Sequence, residues 1–263
     1  MDMKSILRTG VILLFMLGRT SVANTDSSAN NYVEPDFDVQ QKYSLKSQKF
    51  FQKSLSGLYN VPSWQADSIQ QPYSDFATLY QNAELAQHEL SVMMHEIALA
   101  SNAHPIIPTV KSEQRAKVKI AQELNGQVDR ITDLSRATLI ADDIPSLMQA
   151  FELLNKEARI IAVKNRFKNP APSGYRDLKV LVELPKTQLI AEVQLHLDKI
   201  ATIKNDEEHK IYEQIQKIER TAQAEARPFN DIEQAKIKKL RSISQQMYQD
   251  AWQQYLQPTT NVG

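Results

Sequence analysis

The sequence predicts an α+β fold: a mixed β-sheet of about four to five strands flanked by helices, with further helices added at both ends. Three observations carry this expectation. The stretch 188–197 alternates with a period of two, sending Gln188, Ile190, Glu192, Gln194 and His196 to one face and Leu189, Ala191, Val193, Leu195 and Leu197 to the other. Residues 74–101 instead repeat apolar positions at helical spacing: Phe76, Leu79, Tyr80, Ala83, Ala86, Leu90, Met93, Met94 and Ile97. The 263 residues include no cysteine and only six glycines, which excludes disulfides and thiolate chemistry and favours a helix-rich globular chain.

In chain order, Lys4 and Arg8 precede the apolar run 10–17, which is too short to span a bilayer, and Ser21-Val22-Ala23 sets small residues where signal peptidase reads. Residues 1–23 therefore read as a signal peptide, and the mature chain is expected to be exported, to the periplasm or the medium, starting near Asn24. No second segment is long and apolar enough to be transmembrane, so no stable membrane association is expected after cleavage. Residues 24–48, polar and carrying Asn30-Asn31 and Glu34-Pro35, read as a flexible leader.

A helical N-terminal extension is expected over 49–104. His88 and His95 share one face of its long helix, each followed by Glu, but the spacing is neither H-E-x-x-H nor an adjacent His-Asp pair. They are assigned no ligand role. The segment His104-Pro105 to Pro108 ends that helix, and the next, from Val110 to Leu124, carries Lys111, Arg115 and Lys119 at intervals of four. A basic row of this kind is ordinarily a solvated face; directly before a strand it is also a candidate phosphate-binding row.

Asn125-Gly126 closes the helix. Strands are expected over 131–141, 159–167, 176–184 and 188–197, with a helix over 143–157 after the first. Pro185-Lys186-Thr187 is short enough to make the last two an antiparallel hairpin. Helices follow over 198–225 and 231–256, divided by Arg227-Pro228 and restarted by the Asn230-Asp231 cap signal.

Upstream of the alternating strand, Lys164, Arg166 and Lys168 also alternate, and a Pro-Ala-Pro-Ser-Gly turn delivers Tyr175 and Arg176. Cations for phosphates, an aromatic plane for a base and a carboxylate for a metal are the materials of a phosphate-rich ligand site. The chain has 31 basic and 31 acidic side chains, so a basic site must be local, and coating of nucleic acid is not expected.

The run Arg166-Phe167-Lys168, then Ser173-Gly174-Tyr175-Arg176-Asp177-Leu178, then Glu192-Val193-Gln194 resembles the synthetase domain of the RelA/SpoT family, the alarmone (p)ppGpp enzymes. Asp133-Leu134-Ser135-Arg136-Ala137-Thr138 stands where that family carries its strand-opening metal aspartate. The resemblance covers roughly residues 110–213 and suggests a core over 105–213 followed by a C-terminal helical extension over 214–263. It implies a nucleotidyltransferase-like sheet and transfer of a pyrophosphoryl group from ATP to the 3′-hydroxyl of a guanine nucleotide, with Mg²⁺ as cofactor. By the same resemblance Asp133 and Glu192 are the catalytic, metal-binding carboxylates, Glu192 sharing the metal or taking the hydroxyl proton. Tyr175 stacks on the acceptor base, Lys111, Arg115, Lys119, Arg136, Arg166 and Lys168 bind the nucleotides, and Gln194 and His196 line the pocket. Two departures stand out: His196 replaces an arginine common in long family members, and the basic row lacks the family's tighter Arg-x-Lys grouping. The segment His209-Lys210 to Tyr212-Glu213 is similar to one that follows the core in small members, although by itself it reads as helix packing. Hydrolysis of alarmones is not implied, because no adjacent His-Asp pair exists in the chain.

Export divides the functional readings. Periplasm and medium hold little ATP, so an exported synthetase would act inside another cell, as a toxin or effector, on a guanine or adenine nucleotide. The alternative is a catalytically inactive nucleotide-binding or protein-interaction module on the same fold, and a third reading is a secreted helical structural protein with accidental motif matches. The presence of both Asp133 and Glu192 favours the enzyme, since a pure binder needs no metal carboxylates.

Overall fold

Helix α1 (Phe37–Asn60) opens the part of the chain that the computed structural model describes, residues 37–256. The expected signal peptide over 1–23 and the start of the expected leader lie outside the described residues. The rest of the expected leader, 37–48, is the first half of α1, because its Gln- and Lys-rich run is a good helix former despite its polarity. No described helix is long and apolar enough to cross a membrane.

After α1 come β1 (Trp64–Gln65), α2 (Phe76–Ser101), β2 (Ala103–Ile106), α3 (Glu113–Glu123), β3 (Arg136–Ala141), α4 (Ile144–Glu157), β4 (Arg159–Asn165), β5 (Leu178–Glu183) and β6 (Ile190–Leu197). Helices α5 (Asp198–Asn205), α6 (Glu207–Ala224) and α7 (Asp231–Gln254) complete the chain. The six strands form one sheet in the order β1-β4-β5-β6-β3-β2, with β3 and β6 parallel and every other pair antiparallel. The sheet exceeds the expected four to five strands, and the two outside the expected ranges, β1 and β2, are short edge pieces. The segment read only as a helix break, His104-Pro105, pairs with Ile140 and Leu139, and Pro105 is tolerated there because β2 lies at the edge.

One sheet face is apolar. Ala137, Leu139 and Ala141 of β3 share it with Val193, Leu195 and Leu197 of β6 and with Val180 and Val182 of β5, all buried in one core. Against them lie Leu79, Ala83, Ala86, Leu90 and Met94 of α2 and Ile144, Leu147 and Leu154 of α4. Burial of each large aliphatic group contributes about 1.5–3 kcal/mol before entropy, so this layer dominates stability. The helices are stopped and started by local chemistry. Asp75 and Asp143 accept from the backbone N–H of Thr78 and Ser146, and Asn230 and Glu233 form a reciprocal capping box on α7.

The expected helix over 198–225 breaks at Asn205-Asp206, two weak helix formers, and so becomes α5 and α6. Likewise α3 starts at Glu113, leaving Lys111 ahead of it, and β3 starts at Arg136, leaving Asp133 in a loop instead of at the head of a strand. The carbonyls of that loop are taken one by one, the last of them by the first bond of the β3–β6 ladder. Gln71 Nε2 donates to Ile131 O (2.7 Å), Lys111 N to Leu134 O (2.9 Å) and Glu192 N to Ser135 O (3.1 Å). The same buried amide also donates to Ile190 O (3.0 Å) and accepts from Ile190 N (2.9 Å), so one side chain clips the loop to the start of β6.

Candidate active site

The second face of the sheet is polar apart from a small buried cluster of Ile161, Leu181 and Ile190, and its side chains run in rows across the strands because register partners point the same way. Arg136 lies beside Glu192, and Thr138 beside Gln194, which in turn neighbours Lys179 and, one strand further, Lys164. Asp177 and Arg166 extend the row of His196 past the ladder, joined through Arg166 N donating to Asp177 O (2.9 Å). This face is not solvated: Glu192 is 8% exposed and His196 2%. The C-terminal helices cover it, with Lys204 of α5 donating to Gln194 Oε1 (3.2 Å) and Tyr248 of α7 meeting the ring of Tyr175 edge-on.

At one end of this face the loop before β3 presents Asp133. Gln87 of α2 fixes the start of the strand by exchanging hydrogen bonds with the backbone of Arg136 (2.8 and 2.9 Å), and Ser135 Oγ donates to Ala83 O (3.0 Å). Asp133 Oδ2 receives the ammonium groups of Lys119 (2.9 Å) and Lys111 (3.1 Å). Burial raises the pKa of this carboxyl, but Lys119 and then Lys111 outweigh it and hold the group below the usual carboxylate range. Its Oδ1 is buried and has no hydrogen-bond partner. Beside it opens a cavity of about 800 Å³ whose wall includes Lys111, Arg115, Lys119 and Arg136, so those four expected nucleotide-binding residues do converge.

Glu192 is approached from both sides, Gln194 Nε2 donating to Oε1 (2.8 Å) and Lys179 Nζ pairing with Oε2 (2.5 Å). Mg²⁺ is held through one or two carboxylates while substrate phosphates and water complete its shell. Asp133, with a free buried oxygen, is a carboxylate of that kind, and Glu192 stands on the strand bonded through its backbone to the same loop. No cluster of three or more His, Cys, Asp or Glu suited to a metal occurs among the described residues, so a full protein cage is not what these side chains offer.

The middle of the face is organised by Asp177, which is completely buried. Arg166 binds it through both oxygens (2.6 and 2.7 Å), and Tyr175 OH donates to Oδ2 (2.8 Å). Since the single phenolic proton goes to Asp177, the His196 Nε2 contact at 2.7 Å is satisfied when the neutral imidazole carries its proton on Nε2 and donates to the phenol oxygen. Burial pushes His196 below its ordinary 6.5, with Asp177 pulling the other way, while Asp177 is held low because His196 and Arg166 outweigh burial. A depressed imidazole stabilises the fold above pH 6.5 and loses that contribution as pH falls through its folded-state pKa. Buried Glu208, raised by burial above its usual 4.5, works in the opposite sense as pH rises. Acid destabilisation starting below about pH 6.5 is therefore expected in denaturant titrations, and the difference between wild type and His196→Gln isolates it. Identical pH–stability curves for the two would remove this role from His196.

Arg166 and Lys168 do not join the cavity. Asn165 Oδ1 accepts from Phe167 N (3.0 Å) and Lys168 N (3.1 Å), which ends β4 in a turn while burial goes on alternating through Lys168; Lys168 is left exposed, and the Arg166 guanidinium is committed to Asp177. The ring of Tyr175, expected as a base platform, already has Arg166 at 5.2 Å and Lys204 at 5.5 Å from its centroid and His196 edge-on. Sequence reasoning passed over Asp177, Lys179 and Lys204. The first two follow period two through 177–179 and were within reach; Lys204 depends on the break at Asp206, which carried only a weak signal. Gly174 is required by its φ of +86° and by the backbone of Gln245, 3.0 Å from where a Cβ would sit.

No protein-family model and no curated protein matches the chain. Solved structures do. A chain from the complex between the Type VI effector Tas1 and its immunity protein is 20% identical, with 66% of this chain and 96% of that chain covered at a TM-score of 0.51. Small alarmone synthetase 2 from Bacillus subtilis is 19% identical over 68% of this chain and 97% of its own, at a TM-score of 0.49. A GTP pyrophosphokinase family protein from Streptococcus pneumoniae is 16% identical over 67% and 91%, at 0.48. At these identities the likeness speaks to architecture, and the chain shares with the first of them an α+β fold, here a mixed six-stranded sheet flanked by seven described helices.

Proposed function

We propose that the chain is an exported nucleotide pyrophosphokinase, moving the pyrophosphoryl group of ATP to the 3′-hydroxyl of a guanine or adenine nucleotide. The observation that carries this is Asp133 with its unpartnered buried oxygen, tied through the loop backbone to Glu192 and set beside a cavity walled by lysines and arginines. Transfer of this kind needs charge neutralisation, an in-line hydroxyl and a proton acceptor, and little covalent chemistry. Lys111, Arg115, Lys119 and Arg136 would bind the donor, the flat guanidinium groups also suiting the face of a purine. Asp133 and Glu192 would hold Mg²⁺, which when bound neutralises charge on the donor phosphates. Glu192 would accept the proton of the acceptor hydroxyl at a carboxylate oxygen, its orientation fixed by Gln194 and Lys179. The resemblance of the motifs to RelA/SpoT synthetases points the same way.

Incubating the mature chain with γ-labelled ATP, Mg²⁺ and each guanine or adenine nucleotide is expected to yield a new labelled product. A second reading, an inactive nucleotide-binding or interaction module, has in its favour that both oxygens of Glu192 are already engaged; ATP binding without any labelled product would select it. Charge reversal in Lys119→Glu is expected to weaken ATP binding at least about tenfold. Because it also sets a carboxylate against buried Asp133, Arg115→Glu, at an exposed position of the same wall, is the companion variant expected to weaken binding with the fold intact. Unchanged affinity would return the basic row to an ordinary wet face. Export rests on the residue pattern of 1–23 and implies action inside another cell, as a toxin or effector. Mass spectrometry of secreted material should find an N-terminus near Asn24, and a chain beginning at Met1 would rule processing out.

A further inference from the structure

The cavity beside Asp133 has a cation that lies outside the stretch resembling the synthetase core. Arg220, on α6, lines it together with Lys111, Arg115, Lys119 and Arg136. Lys111 and Lys119 are both paired with Asp133, sharing its single negative charge. The three arginines are not: among the described residues none has a carboxylate partner, Arg136 Nε is buried without any partner, and Arg220 donates only to the neutral amide of Gln216 (2.6 Å). Three unneutralised guanidinium groups around one cavity repel one another, and what offsets that repulsion is an anion carrying several charges.

Helix α6 holds Arg220 in place from both ends. Near its start Glu208 is buried and receives Ser244 Oγ (3.2 Å) and Tyr248 OH (3.1 Å), the latter ring being the one packed on Tyr175. One residue before Arg220, Glu219 pairs with Arg241 of α7 (3.3 Å). From Glu208 to Arg220 the helix rises roughly 18 Å, enough to reach from the Tyr175 network to the cavity. The helix is therefore a wall common to both halves of the polar face.

We infer that Arg220 binds the polyphosphate of the donor nucleotide, so that the C-terminal extension completes the donor site. The identity of the donor as ATP rests on the pyrophosphokinase reading; the assignment of a polyphosphate anion to Arg220 does not. A planar guanidinium fork is suited to two phosphate oxygens at once, which an ammonium cannot reproduce.

Binding of ATP and of inorganic triphosphate, each measured calorimetrically on the full mature chain, tests this. Arg220→Ala is expected to weaken both about tenfold, the scale of losing one charge-assisted hydrogen bond, with Arg220→Lys intermediate and thermal unfolding unchanged. Lys217→Ala, an exposed charge on the same helix, should leave both affinities at the wild-type value. Wild-type triphosphate affinity in Arg220→Ala, or an equal loss in Lys217→Ala, overturns the inference. Triphosphate binding by the wild type without ATP binding would sink the pyrophosphokinase reading while leaving Arg220 assigned. Failure of the wild type to bind either would overturn both.

Discussion

Glu192→Gln is expected to lose turnover by roughly 10²-fold or more while folding normally, the usual scale for removing a positioned acid–base group. The side chain leaves a central strand whose next residue, Val193, is fully buried in the opposite core, so the carboxylate cannot relax away from the polar face. Glutamine keeps the size and an acceptor for Gln194, and removes the charge that Lys179 meets at 2.5 Å. Asp133→Asn should behave alike, because its Oδ1 already lacks a partner and the change removes charge without emptying space. If both carboxylates act on one transition state, the double variant costs less than the product of the single losses. A steady-state assay of all three variants decides it. Wild-type rates in Glu192→Gln would place the chemistry elsewhere.

The largest effect on stability is expected at Asp177. Removing one member of a buried, hydrogen-bonded ion pair costs about 3–5 kcal/mol, because the remaining charge is left uncompensated. Here Asp177→Ala strands more than Arg166: the Tyr175 hydroxyl and, through it, His196 lose their arrangement together. A fall in Tm of about 10 °C is the corresponding scale for a chain of this length. Replacing both ends of the pair, Asp177→Leu with Arg166→Met, should recover part of the loss, since no buried charge then remains unpaired. A single Asp177→Ala variant that melts with the wild type would show the network to be incidental to the fold.

What could be read from the chain beforehand is what local periodicity encodes. Strands β4 to β6 and helix α4 fall within a few residues of expectation, because alternation, helical spacing and turn residues act over short distances. Strands β1 and β2 have two and four residues, too few for a period to show, and exist only because β4 and β3 present free edges to them. The same division applies to the site. Lys111, Arg115, Lys119 and Arg136 were legible as cations near a strand and do share a wall. Arg166 was legible as a cation too, but whether it faces phosphate or Asp177 is settled by which strand lies next to it. Arg220 gave no signal at all, since nothing in α6 distinguishes it from other solvated charges until the helix is folded over the sheet.

Gln71 touches neither carboxylate, yet its bonds to Ile131 and Ile190 each lie two residues before one of them, Asp133 and Glu192. A single amide plane thus serves as the gauge block against which two distant stretches of chain are measured. Any shear of β6 along the loop must break that plane's three hydrogen bonds before the carboxylates can drift apart. The separation of the two acidic groups is in this sense machined by a residue that never meets a ligand, and substitutions there would detune the pair without altering a single group on its surface.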